Sequence, residues 1–363
     1  YFNFSEKLEY NFFPRPHFIA KNSIILDDKI EIAKIKNLKI YISLNNLFSL
    51  ENMKVKNLII ENANFNINSQ NDNFFIKLLD RDFSNSDLII KNSNIFYRNI
   101  DKEVLFINKI IKMRYHYNVK DLKNVSVSEN EIFNIPYLFE LHNNKEEKKL
   151  LSKININFLK MKIENEIDYE GDIILGFINL IVNKKKSRAI YEIKKDSFEF
   201  KFFDKLNNPN FTYKGSFNLR PFYSSLIGIE EEINFYSLFN SNGILAQLLK
   251  SEVLYNKNLY FDLTINGNKI HNHSSFVNIF LNSKIQEGLI DFDDTKFSWK
   301  NYANFKISNS LIYVKDSELI IDGKLDLSID PSFIVLISLL ILFSIGVKFI
   351  SSICGIIDIS GVV

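Results

Sequence analysis

The sequence predicts a mainly β protein built on antiparallel sheet, with a short helical insertion near 222–254 and a hydrophobic helix at the C-terminus. Three observations carry that reading. Apolar and polar residues alternate with period two in one segment after another, which is the pattern of a strand with one buried and one solvated face. Clusters of Asn, Asp, Ser and Gly separate those segments, as turns do. One stretch follows helical spacing instead, and one long stretch near the end is apolar throughout.

The strands come in order along the chain. Leu38, Ile40, Ile42 and Leu44 alternate with Lys39, Tyr41 and Ser43, and Phe65 and Ile67 alternate with Asn64 and Asn66. Ile154, Ile156 and Phe158 alternate with Asn155 and Asn157. Leu259, Phe261, Leu263 and Ile265 repeat the pattern, as do Leu325, Leu327 and Ile329. Turn clusters fall at 68–73, 84–87, 207–210 and 266–268. An internal repeat runs through the first part: LIIENANF begins at Leu58 and LIIKNSNIF at Leu88, with a weaker echo, FKISNSLIY, from Phe305. Val55–Ile60 (VKNLII) also resembles Ile35–Ile40 (IKNLKI). Repeats of this size point to a sheet grown by adding similar strand units.

The helical stretch centres on Ile244, Leu245, Leu248 and Leu249, with Glu230, Glu231 and Glu232 read as negative charge ahead of a helix N-terminus. The chain then divides at Pro331 into a β domain, 1–330, and a hydrophobic tail, 331–363. From Phe333 to Val347 the tail carries no charge. As a helix that run spans ~22 Å, short of the ~30 Å hydrocarbon core, and continuing through Lys348 to Cys354 supplies the missing length. A transmembrane helix and a buried or interfacial helix are both open on this pattern.

Composition excludes several classes. With 45 basic and 43 acidic residues the net charge is +2, without the basic excess of a nucleic-acid binder. The charge runs Lys184–Lys186 and Lys145–Lys149 are short and read as solvated turns. One cysteine, Cys354, leaves no disulfide within the chain. Part of the excess of Ile, Asn, Lys and Phe is what an AT-rich genome encodes. The first residue is Tyr1 rather than Met, which reads as a processed or partial chain.

No catalytic motif appears: there is no GxSxG, P-loop, HExxH or CxxC, so neither an enzyme nor a cofactor is expected. His271 and His273 are two apart and would share a strand face, yet no third metal ligand accompanies them, and a polar turn is the simpler reading. The acidic group Asp291, Asp293 and Asp294 matches no calcium loop, so no metal is expected there either. Trp299 reads as a strand-face aromatic, and His17, His116 and His142 receive no role.

Several stretches together resemble the AsmA-like family of bacterial envelope proteins. FFPRPHFIAKNSIIL (12–26) is similar to that family's segment just after its membrane anchor. IAKIKNLKIYISLNNLFS and VKNLIIENANFNI follow in the family's order, then SNGILAQLLKSEVL before NLYFDLTING. EGLIDFDDTKFSWK and ISNSLIYVKDSELIIDGKLDL resemble its C-terminal strands, so the likeness runs from about Phe12 to Asp330. No one of these is specific; their order carries the resemblance, and the tail after Pro331 departs from it. The resemblance implies an elongated, curved β-groove on the periplasmic side of the bacterial inner membrane. It also implies phospholipid acyl chains and the membrane as partners, and a role in lipid traffic or outer-membrane biogenesis. On this reading Leu38, Ile40, Ile42, Leu58, Ile60, Phe65, Ile67, Leu88 and Ile90 line the groove. The alternative is a structural envelope scaffold or adhesin whose core is closed by its own side chains. A hydrolase or carbohydrate-binding module lacks a clustered acid pair or aromatic platform.

Overall fold

The structure is a computed structural model. It describes the chain apart from 44–53, 69–85 (except Asn71 and Phe74), 204–211, 235–255 (except Leu248, Ser251 and Val253) and 332–353. Also outside are 5–6, 169–173, 195–196, 220–221, 316–317 and the single positions 1, 28, 100, 145, 183, 288 and 363.

The alternating segments form strands, and the chain folds as two compact units, Tyr1–Phe198 and Glu199–Val363. The first holds β1 (Phe2–Asn3), β2 (Glu9–Asn11), β3 (His17–Asp27), β4 (Ile30–Ile42), β5 (Val55–Ile67), β6 (Asp87–Arg98) and β7 (Val104–Asn118). It continues with β8 (Lys123–Ile132), β9 (Ile135–Asn144), β10 (Lys149–Ile156), β11 (Met161–Asp168), β12 (Ile174–Val182) and β13 (Lys185–Lys194). From β3 to β13 each strand pairs with the next in the chain, and β1 and β2 both add to β3. β14 (Ser197–Phe203) spans the boundary between the units in sequence. The second unit then has β15 (Tyr213–Leu219), β16 (Phe222–Ile233), β17 (Leu259–Ile270), β18 (His273–Gln286), β19 (Leu289–Asp291) and β20 (Lys296–Trp299). Its last strands are β21 (Ala303–Lys315), β22 (Glu318–Ile329) and β23 (Cys354–Val362).

The expected purely antiparallel sheet is corrected to a mixed one. β5 pairs with β6 in parallel, and β16 with β17 in parallel. The sequence repeat explains the first pair. Leu58 sits beside Leu88, Ile59 beside Ile89 and Ile60 beside Ile90, so the two copies lie in register side by side. Parallel neighbours need a crossover connection, and residues 68–86 and 234–258 provide the two. Phe74 of the first crossover packs on a buried cluster that includes Leu38, Ile60, Phe65, Leu88, Ile90 and Ile110. Leu248 and Val253 of the second pack on a cluster formed by Ile233, Ile265, Ile279, Leu281, Ile290 and Ile312.

A row of kinks keeps the apolar residues of the first unit on one face. Asn22, Asn62 and Asn92 have left-handed backbone, with φ of 50°, 56° and 48°. They share one row across the sheet, with Lys36 and Ile111 opposite, and the pairing register is the same on both sides of that row from β3 through β7. Asn is among the few residues that adopt this conformation at low cost. Each kink shifts the alternation by one residue. In β5, Ile60 is buried before the kink and Ala63 and Phe65 after it; strict alternation would place Ile60 and Phe65 on opposite faces. A small residue follows each kink, and Ser23, Ala63 and Ser93 are completely buried. The Ser93 hydroxyl accepts a hydrogen bond from the Ala63 amide at 3.0 Å and donates to the Lys91 carbonyl at 2.8 Å. Asn309 and Ser310 repeat the Asn–small pair in the second unit, where Asn309 has φ of 49°.

The helical expectations are corrected where the structure describes them. Phe222–Ile233 is a strand, and Glu230, Glu231 and Glu232 belong to it rather than to a helix start. Its parallel partner β17 offers a full ladder of backbone hydrogen bonds, which outweighs the local charge signal. Ile244, Leu245 and Leu249 lie outside the described residues. Among the described residues Phe74, Leu248, Val253 and Pro331 are helical, and a 3-10 segment spans Asn157–Leu159. The tail residues 332–353 also lie outside them, while Cys354–Val362 forms a strand paired with β22 rather than a continuing helix. Among the described residues no helix is long and apolar enough to cross a membrane.

If the kinks set the faces, Asn92→Ala lowers stability by about 1 kcal/mol while Asn92→Gly does not. Ala63→Leu, which overfills the buried row, costs about 1–3 kcal/mol. Urea unfolding of the three variants measures both effects.

Candidate functional site

The inner face of the first unit, the one bearing the buried cluster, continues past the crossover onto β7–β13. The nine residues expected to line a groove all belong to it. Leu38, Ile42, Ile60, Phe65, Leu88 and Ile90 are buried, and Ile40, Leu58 and Ile67 are half-buried. Cross-strand pairing joins Leu38 to Ile60, Ile60 to Ile90, Ile40 to Leu58 and Leu58 to Leu88. All but Ile42 and Ile67 belong to the packed cluster that Phe74 covers.

The open part lies further along. A cleft of about 440 Å³ is bordered on one side by Ile95, Ile110 and Met113 of β6 and β7. Phe139, Ile154, Ile156 and Ile163 of β9–β11 border it on the other. Its floor is β8, which supplies Ser126, Ser128, Asn130 and Ile132; Tyr137 completes the lining with Asn108. Register builds this directly: Met113 faces Ser128, which faces Phe139, which faces Ile154, which faces Ile163. No charged side chain is among the described residues that line it. Burial pushes the Tyr137 phenol up to about 12, and its hydroxyl donates to Asn108 Oδ1 at 2.8 Å.

β8 is inverted with respect to its own hydropathy. Its sequence alternates Val125 and Val127 with Ser126, Ser128 and Asn130, and alternation alone would turn the valines inward. Instead the polar set faces the cleft and is buried, with Ser126 at 1%, Ser128 at 5% and Asn130 at 4% exposure, while on the outer face Val127 is 48% exposed and Val125 is buried. Sequence reasoning missed the cleft for this reason: its floor carries a polar signal and reads as the solvated side of a strand.

Beyond the cleft, Tyr191 crosses the face at Gly176, where a Cβ would lie only 2.0 Å from the ring. Its hydroxyl donates to Asn165 Oδ1 at 2.7 Å, and burial raises its phenol above the ordinary value despite that bond. The opposite face of β10–β13 is charged. A second cleft, of about 590 Å³, contains Lys153, Glu164, Glu166, Asn179 and Arg188, with the Arg188 guanidinium 5.4 Å from the centre of the Phe177 ring. Glu164 is held below the usual carboxylate range, chiefly by its hydrogen bond from Lys162 at 2.6 Å.

The other sequence candidates have local roles. His271 lies in a turn and its Nδ1 is 2.9 Å from Glu232, while His273 is exposed. Asp293 accepts from the Ser310 amide and hydroxyl at 2.7 and 2.9 Å, and Asp294 pairs with Lys306 at 2.7 Å. No group of three metal-ligating side chains occurs among the described residues. Trp299 is half-buried in β20, with its ring 5.5 Å from that of Tyr302. His17 stacks on Tyr41 at 4.8 Å, and His142 bonds Glu140 and lowers its carboxyl.

Compared with known proteins, the chain matches no family model and no curated sequence.

The folded state holds the Tyr137 proton more tightly than the unfolded chain does. The stabilisation it contributes is therefore complete below the ordinary phenol value near pH 10 and is lost as pH rises through about 12. Unfolding free energies measured across that window fall more steeply for the wild type than for Tyr137→Phe.

Proposed function

We propose that this protein binds phospholipid acyl chains in the inner-face cleft. In this reading it serves lipid transfer or outer-membrane biogenesis in the bacterial envelope, as the resemblance to AsmA-like proteins implies, from the periplasmic side of the inner membrane. The observation that carries it is an uncharged, largely apolar cleft of about 440 Å³ lying open on a sheet face whose other part is packed. Clefts of roughly 300–1,000 Å³ hold small ligands. Each methylene buried there contributes about 0.8 kcal/mol, so about ten supply ~8 kcal/mol before the costs of association. A neutral hydrocarbon needs no ionic partner, and the cleft offers none. The two serines of its lining have no His or carboxylate beside them in that lining, which favours binding over hydrolysis. Contact with a bilayer draws support from the N-terminal turn, where Phe12 and Phe13 are 55% and 83% exposed next to Arg15.

The scaffold reading has one observation in its favour, the packing of seven of the nine expected groove residues with Phe74. Lipid content separates the two. Purified in mild detergent, the wild type carries phospholipid detectable by mass spectrometry. Ile154→Glu, inside the cleft, loses it at least tenfold, whereas Ile107→Glu, on the exposed outer face, keeps it. A lipid-free wild type decides for the scaffold. In a separate assay, replacing Phe12 and Phe13 by Ser reduces co-sedimentation with anionic vesicles several-fold.

A further inference from the structure

We infer that the floor of the cleft recognises the carbonyl linkage of an acyl ester or amide, with Ser126 as the donor; this rests on the acyl-chain reading above. β8 is the starting point. A strand flooring a hydrocarbon cleft is best made of Val, Ile or Phe, and β8 has two valines available in the alternating set. It turns its polar set inward instead, between Tyr115, Met113 and Ile110 on one side and Leu141, Phe139 and Tyr137 on the other.

Two members of this polar stripe satisfy each other, since Asn130 Nδ2 donates to Ser128 Oγ at 2.7 Å. Ser126 is different. Its hydroxyl is buried and has no hydrogen-bond partner. A buried hydroxyl left unpaired costs free energy and calls for an occupant that pairs with it.

The chemistry of that occupant follows from the lining. An ionised phosphate or carboxylate brought to Ser126 would lie buried without a countercharge, because the lining carries none. A neutral acceptor fits: a hydroxyl donates to a carbonyl oxygen without any charge being desolvated. Apolar walls flank the stripe on both sides, so hydrocarbon extends from the acceptor in both directions. The linkage region of a diacyl lipid, with its charged headgroup outside the cleft, has that arrangement. A free hydrocarbon does not.

The test uses the full chain and two probes, dipalmitoyl phosphatidylglycerol and its dialkyl ether analogue, which shares the headgroup and chain length but lacks both carbonyls. Each displaces a fluorescent fatty-acid analogue from the protein. The wild type is expected to bind the ester about fivefold or more tightly than the ether, the worth of one hydrogen bond. In Ser126→Ala that ratio falls to about one. Equal binding of the two lipids by the wild type overturns this inference and leaves acyl-chain binding standing, as does a ratio that Ser126→Ala leaves unchanged. If neither lipid displaces the probe, the acyl-chain reading falls and this inference with it.

Discussion

Everything in the first unit depends on keeping apolar side chains on one face of long strands. A strand of regular alternation does this only while its sequence holds one phase, and these strands change phase partway along. The left-handed residues Asn22, Asn62 and Asn92 absorb the change at one row, so the face stays apolar on both sides of it. The constraint reaches the neighbours as well. The residue after each kink has no room for a large side chain, which is why Ser23, Ala63 and Ser93 occupy those places. The repeated Asn–Ala and Asn–Ser pairs in the sequence are therefore backbone geometry written as residue choice.

The parallel pair of β5 and β6 divides the face of the first unit into a packed part and an open part. A hairpin returns the chain at once and covers nothing, whereas a crossover must travel back along the sheet and lies over it. Phe74 brings the first crossover onto the cluster around Leu38, Ile60 and Leu88. Further on, β7 to β13 are joined by short connections, and the cleft opens there. A single departure from hairpin topology thus decides which apolar residues become core and which face the cleft.

Much of this was legible from the residues. Period two located the strands, and the resemblance of LIIENANF to LIIKNSNIF marked two segments that turned out to be neighbours in register. The direction of that pairing was not legible, because hydropathy alternates in the same way in parallel and antiparallel strands. Phe222–Ile233 was misread because three consecutive glutamates ahead of a leucine-rich stretch look like a helix start, and only the partner strand shows otherwise. The cleft was hidden more deeply. From Ser126 to Asn130 the burial runs against the hydropathy, and nothing within one strand reveals that its polar side faces inward. Such an inversion becomes visible only when the strands on both sides are in place.

The pairing of β5 with β6 has a further side. Two near-identical segments lie parallel and in register, and Asn94 Nδ2 donates to Asn64 Oδ1 at 3.1 Å, so the side-chain amides stack along the ladder. Separate molecules use the same arrangement when they assemble into fibrils, where in-register parallel copies add without limit and amide stacks reinforce each addition. Here the array stops at two. β4 and β7 close its flanks in the antiparallel sense, leaving neither copy a free edge onto which a third could grow.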